Sequence, residues 1–215
     1  VGNQKRAVFY DIKTDYPELL AIDANFSIIK EELETVLINR QTIPRFHEVD
    51  SLQKQISAEK DAKKNWRTFY LYCYGEKPAH NRALCPKTAA LLDSIPGICQ
   101  AFFSILEGGK SIPPHDGPFC GILRYHLALK VPQKNPPLIR IKDQSYTWQE
   151  GKSVMFDDTW EHEVINHSEE IRVVLFLDIM RRHVPTYLLK INKLLLRSLG
   201  TYYGKKVMNK LNWMQ

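Results

Sequence analysis

At 215 residues, with 44% hydrophobic and 11% aromatic content, the chain can bury a sizeable core, and its length fits one domain with a modest extension. Its formal charge of +6 is unevenly spread: from residue 181 to the end there are eight basic and no acidic residues, so that tail carries +8 and residues 1–180 carry −2. Four cysteines (Cys73, Cys85, Cys99, Cys120) without a CxxC pair exclude a zinc module or a disulfide framework and fit a reducing, cytoplasmic compartment, and no apolar run is long enough to span a bilayer. The sequence begins at Val1, which leaves room for an upstream segment.

In chain order, residues 24–39 carry apolar side chains at Phe26, Ile28, Ile29, Leu33, Val36 and Leu37, a helical spacing. Residues 51–64 are polar and poor in turn formers, which predicts a surface helix or a mobile loop. Pro86 followed by Thr88, Ala89, Leu91 and Leu92, and ended near Pro96 and Gly97, reads as a short helix. The period then changes. Residues 66–74, 100–106, 121–131, 137–141, 153–156 and 171–179 are aromatic- and β-branched-rich runs separated by Gly, Pro, Asn and Asp, and so predict strands. Many short strands at this spacing point to a sandwich or barrel, of which the jelly roll is a common form.

In the basic tail, Leu188, Ile191, Leu195 and Leu199 fall on one helical stripe and Gly200 offers a stop. A helix over residues 186–199 would be roughly 21 Å long, short of a ~30 Å hydrocarbon core, so it cannot cross a membrane. Two readings remain: a terminal helix docked on the domain by its apolar stripe, or a peripheral helix on an anionic membrane surface. Without a visible binding module the charge does not argue for nucleic acid. The expected division is residues 1–183 as the folded domain, with N-terminal helices, and 184–215 as a basic amphipathic tail.

Within the strand-rich part, His115 and His162 stand in short polar loops at opposite ends of one segment, with Arg172 ten residues beyond the second. Imidazoles hold Fe(II) while leaving open positions, and a guanidinium clamps a carboxylate, so the pattern suits an iron centre that takes a small diacid and dioxygen. The remaining histidines, His47, His80, His167 and His183, read as ordinary core or surface groups.

The segments FFSILEGGKSIPPHDGPFCGILRYHLALKVP, TWQEGKSVMFDDTWEHEVIN and IRVVLFLDI resemble the aspartyl/asparaginyl β-hydroxylases, Fe(II)/2-oxoglutarate dioxygenases that include bacterial lipid A hydroxylases. The resemblance covers residues 66–179 and, more loosely, the opening VFYD. It implies a mainly β fold with flanking helices, a double-stranded β-helix of the cupin-like jelly-roll type. It also implies Fe(II) as cofactor, 2-oxoglutarate and O2 as cosubstrates, and His115 and His162 as the iron ligands. Arg172 and Ser104 match the groups that hold the distal carboxylate of 2-oxoglutarate, and Arg124 and His126, two apart and so on one strand face, match positions that meet cosubstrate or the substrate carboxylate. Trp66 is a further pocket-wall and substrate-binding candidate.

Many related dioxygenases add a carboxylate two residues after the first histidine; here that position is Gly117, as in the peptidyl aspartate hydroxylases, and whether the adjacent Asp116 or water completes the iron site stays open. Asp157 and Asp158 precede His162 and could at most orient it, and EGGK at 107–110 is a turn, without the spacing of a phosphate loop. The H-x-G pattern and Arg124 favour hydroxylation at the β-carbon of a peptidyl Asp or Asn. The basic tail favours a lipid A or other acyl chain, at a site peripheral to the membrane. A non-catalytic cupin-like binding protein is the reading from another class.

Overall fold

The computed structural model describes residues 6–59, 61 and 63–214; residues 1–5, Gln215, and Lys60 and Ala62 in the polar stretch 51–64 lie outside the described residues. The strands are β1 (Phe9–Tyr10), β2 (Trp66–Cys73), β3 (Ile98–Leu106), β4 (Ile112–His115), β5 (Ile122–Lys130), β6 (Leu138–Ile141), β7 (Gln144–Thr147), β8 (Ser153–Phe156), β9 (His162–Ile165) and β10 (Arg172–Met180). They form a six-stranded sheet in the order β1-β8-β5-β10-β3-β2 and a four-stranded sheet in the order β4-β9-β6-β7, with every pairing antiparallel. From β3 to β10 the chain steps back and forth between the two sheets, with only the β6–β7 hairpin staying in one. This is the double-stranded β-helix of a jelly roll.

Strand alternation divides the larger sheet into two faces, each with its own core. On β5, Leu123, Tyr125, Leu127 and Leu129 face outward with Val173, Leu175, Leu177 and Ile179 of β10, against a layer of helices that includes Ile29, Leu33 and Val36. The helix Phe26–Leu37 forms because those three residues recur at three- and four-residue spacing and so can be buried together on this sheet. On the inner face, Phe102, Ala128, Val174 and Phe176 meet Ile112, Ile139 and Val164 of the smaller sheet, and that interior also holds the polar side chains discussed below.

Several elements escape the sequence reading. Strands β1, β4, β7 and β9, of two to four residues each, are too short for a period-2 signal, and β4 contains two prolines. Residues 51–64 begin as a 3-10 turn, Ser51–Gln53, and a helix, Lys54–Ser57. On β2, Trp66 and Tyr70 point into the inner core, but Tyr72 does not follow them. A bulge sets two residues opposite Ala101, which moves Tyr72 to the helix side with Leu71.

The tail departs most from expectation. The helix Thr186–Leu195 does not end at Gly200 but passes through one π-helical turn, Leu196–Gly200, into a further helix, Thr201–Met214. Gly200 is a contact residue: a Cβ there would lie 2.6 Å from the Tyr74 ring, and one at Gly204 would lie 2.5 Å from the Cys73 carbonyl. The two glycines let the helix approach the end of β2, and Val207 and Leu211 continue the same face into the inner core. Tyr203 closes the contact by donating to Asp50 Oδ2 at 2.8 Å.

Candidate active site

β4 and β9 pair antiparallel, with His115 directly opposite His162. This register brings residues 47 apart in sequence to a ring-centroid separation of 4.2 Å. Each ring is oriented by the backbone two residues earlier: Nδ1 of His115 lies 2.8 Å from the Pro113 carbonyl and Nδ1 of His162 lies 2.9 Å from that of Trp160. A carbonyl can only accept, so Nδ1 carries the proton and Nε2 keeps its lone pair in both rings, the tautomer a metal ligand needs. His162 is only 3% exposed, and burial, with the charges of His115 and Arg124 beyond it, pushes its pKa down to about 3. Burial also lowers that of His115. Both imidazoles are therefore neutral near pH 7 and could hold a divalent cation.

Among the described residues no third His, Cys, Asp or Glu gathers with them. Asp116 is exposed. Gly117 donates its N–H to the Asp158 carbonyl at 2.8 Å, and a Cβ at 117 would stand 2.4 Å from Asp158 Oδ2, so the carboxyl group of Asp158 fills the space into which a residue-117 side chain would project. The side chains of Asp157 and Asp158 are engaged elsewhere than on His162. Asp157 accepts from the backbone N–H and hydroxyl of Thr159 and pairs with Arg181 at 2.7 Å, and Asp158 pairs with Arg124 at 2.9 Å.

The wall facing the histidines is the inner face of the larger sheet, where pairing aligns residues in rows across neighbouring strands. One row is Arg124, Asp178 and Gln100. Arg124 donates from Nε to Asp178 Oδ1 at 3.0 Å and Gln100 donates to Asp178 Oδ2 at 2.5 Å. Burial alone would lower the Arg124 pKa, but Asp158 and Asp178 outweigh it and raise it. The guanidinium expected to meet a bound carboxylate lines the cavity, but its charge is already matched by two of the protein's own carboxylates. Asp158 is in turn pushed up to about 6, because burial and the nearby Asp178 and Asp157 outweigh the pull of Arg124.

The next row contains His126, Phe176, Phe102 and Tyr70, the histidine being ringed by Phe156, Phe176 and Trp148. Neither His126 nitrogen has a protein hydrogen-bond partner, and burial, then the charges of Arg172 and Arg124, keeps the ring neutral by lowering its pKa far below the usual value. Ser104 follows one row further on and accepts from Trp66 Nε1 at 2.9 Å, which leaves its own hydroxyl proton free to donate.

Arg172, at the start of β10, is 1% exposed and its guanidinium carbon lies over the Trp148 ring, 4.5 Å from the centroid. Its Nε and Nη1 find no partner, and among the described residues no carboxylate pairs with it. Burial brings its pKa down to about 9, so it keeps its charge near neutrality. A buried cation is costly to leave uncompensated, so the position is suited to a ligand anion. Trp66, Ser104, His115, His126, His162 and Arg172 line one cavity between the sheets. The six are thus brought together, with Arg124 beside them.

Two residues outside the sequence reading matter here, Asp178 and Trp148, and a third, Asp158, has a different role from the one expected of it. Asp178 lies in an otherwise apolar strand, and a lone acid in such a run is a signal that could have been read. Trp148 lies just past β7 and offers no such cue.

Comparison with known proteins identifies the family. A family model described as aspartyl/asparaginyl beta-hydroxylase matches residues 23–182. An ornithine lipid ester-linked acyl 2-hydroxylase from Rhizobium tropici is 42% identical over 173 residues, covering 80% of this chain and 60% of that protein. The human aspartyl/asparaginyl beta-hydroxylase is 30% identical over 173 residues, covering 78% of this chain and 22% of that protein, so the chain spans less than two thirds of either relative. A cupin 2 conserved barrel domain protein from Salinispora arenicola, 11% identical, covers 65% of this chain and 95% of that one at a TM-score of 0.36, too loose a likeness to add to the topology. On the family match and these identities, the chain belongs to the aspartyl/asparaginyl β-hydroxylase family.

Proposed function

We propose that the chain is an Fe(II)- and 2-oxoglutarate-dependent hydroxylase acting on a fatty-acyl chain of a lipid. The observation that carries the cosubstrate is Arg172, a buried cation without a protein counter-charge in the same cavity as two imidazoles whose Nε2 atoms are free. In this reading His115 and His162 hold the iron, Arg172 takes the distal carboxylate of 2-oxoglutarate, and the Ser104 hydroxyl and His126 lie where they can assist. When bound, iron and 2-oxoglutarate supply the oxidising power: O2 is consumed, 2-oxoglutarate leaves as succinate and CO2, and a substrate C–H becomes C–OH. The chain's own part is to keep Nδ1 of each histidine protonated against a carbonyl, to match the diacid's charge with Arg172, and to shield the reaction behind Phe156, Phe176 and Trp66.

The acyl substrate is favoured by the way out of the cavity. A groove runs from His115 past Phe46, Ile56 and Pro118 to Tyr203; with an outer cleft walled by Phe119, Leu195 and Leu199 it shares Leu52, Pro118 and Tyr203 on its apolar side and Gln53, Gln100, Arg124 and Asp158 on its polar side. An extended hydrocarbon fits such walls, and the rhizobial relative is named for acyl hydroxylation. The peptidyl Asp or Asn reading keeps the support of the H-x-G pattern and of the human relative. It loses that of Arg124, whose charge is already matched by Asp158 and Asp178.

The test is anaerobic loading with Fe(II) and 2-oxoglutarate, then O2 with an ester-linked acyl lipid in detergent micelles or, separately, an Asp-containing peptide. Iron-dependent succinate with gain of one oxygen by the lipid, lost in His162→Ala, is the expected result. Oxygen gained only by the peptide would replace the substrate, and absence of succinate with either would return the chain to a non-catalytic binding role.

A further inference from the structure

The C-terminal helices present to solvent what a docked helix would bury. Tyr187, Leu188, Ile191, Leu194, Leu199 and Tyr202 are each 41–73% exposed; Leu188, Ile191 and Leu194 recur every three residues, and Leu199 and Tyr202 repeat that spacing across the π-helical turn. The docked side is a different one: Asn192 donates to the Gly121 carbonyl at 2.7 Å, and Gly200, Gly204 and Val207 follow it onto the domain. Along the stripe's edge stand Lys190, Lys193 and Arg197, exposed and at the same helical spacing. Among the described residues none of these three, nor Lys205 or Lys206, is in an ion pair, and residues 181–215 contain no acid to supply one.

What covers this surface must offer hydrocarbon and negative charge together. A second copy of the chain would offer the apolar stripe but bring a second set of unpaired lysines and arginines against the first, since among the described residues only Arg181 and Arg182 of the tail are matched by acids of the body. An anionic bilayer offers both, with acyl tails for the leucines and head groups for the lysines. No described helix is long and apolar enough to cross a membrane, so the geometry is that of a helix lying in the interface.

We propose that the outward face of residues 186–202 is a docking surface for an anionic lipid bilayer, and that docking holds the mouth of the groove against the membrane. Leu195 and Leu199 belong both to that helical segment and to the wall of the outer cleft, so the surface and the opening are contiguous. What enters the opening rests on the acyl reading above; the docking does not, and the two can fail separately.

The test is flotation of the full chain with phosphatidylcholine vesicles, with and without about a third phosphatidylglycerol. The wild-type chain is expected to float only with the anionic vesicles and to release as salt rises to about 1 M. At about a fivefold change per basic residue, Lys190→Gln/Lys193→Gln/Arg197→Gln should weaken partitioning roughly a hundredfold. Ile191→Ser/Leu194→Ser should weaken it at least about tenfold, while micellar turnover is kept because neither residue lines the groove. Equal partitioning of the wild type and both variants, or a stable dimer that the Ile191/Leu194 variant dissolves with no vesicle binding, would overturn the docking. Turnover of micellar lipid without vesicle binding defeats the docking alone; vesicle binding without turnover defeats the acyl reading alone.

Discussion

Two arginines share the inner face of one sheet and have opposite surroundings. Arg124 is held by Asp158 and Asp178, while Arg172, more deeply buried, pairs with no acid among the described residues and rests on Trp148. The protein neutralises the first itself and, among the described residues, gives the second no counter-charge. On the function proposed above, the contrast separates charge that maintains the fold from charge kept for a diacid, and each arginine can be removed to test it.

The largest expected effect is on stability. Arg124→Leu would leave two buried carboxylates without their cation, and loss of one partner of a buried pair costs about 3–5 kcal/mol, measurable as a fall in the urea midpoint. Arg172→Leu should leave that midpoint unchanged or raised, since it removes an uncompensated charge. It should instead raise the Kd for 2-oxoglutarate roughly tenfold to a hundredfold in anaerobic calorimetry, as loss of a charge-assisted hydrogen bond of about 1.5–3 kcal/mol requires. If both variants lose stability equally and both keep 2-oxoglutarate, the distinction fails.

A smaller effect lies in acid. His126, beside Arg172, Arg124 and His162, has a folded pKa far below its unfolded value near 6.5, so below that pH the unfolded chain takes a proton the folded chain refuses. Stability of the metal-free chain should therefore fall as pH drops from about 6.5, and His126→Phe should lose less of its urea midpoint between about pH 7 and pH 5 than the wild type. The smallest effect is Asp116→Asn. Because Asp116 is exposed and apart from the histidine pair, iron-dependent turnover should be unchanged within about twofold; a loss of iron would bring it back as a ligand.

Most of the long strands were legible because β3, β5 and β10 are buried on both faces and so read as apolar runs interrupted by single polar residues. Those interruptions, Ser104, Arg124, His126 and Arg172, are the cavity wall, and motif matching found them together with the two histidines of β4 and β9. What stayed hidden depends on pairing across the chain. The union of Arg124 with Asp178 needs the β5–β10 register, the overlap of Gly117 with Asp158 needs two loops to meet, and the exposure of the leucine stripe depends on which side of its helix the glycines dock. Gly200 was misread because a glycine that ends a helix and one that lets a helix approach a strand look alike in sequence.

The meeting of Gly117 with Asp158 also bears on how such a site can change by descent. Converting H-x-G to H-x-D is one codon away in principle, but the new carboxylate would enter space held by a side chain that Arg124 fixes in place. The lineage would have to lose or reduce Asp158 first, and with it half of the support for Arg124. In this chain the H-x-G and H-x-D patterns are therefore separated by at least two coupled substitutions with a less stable form between them.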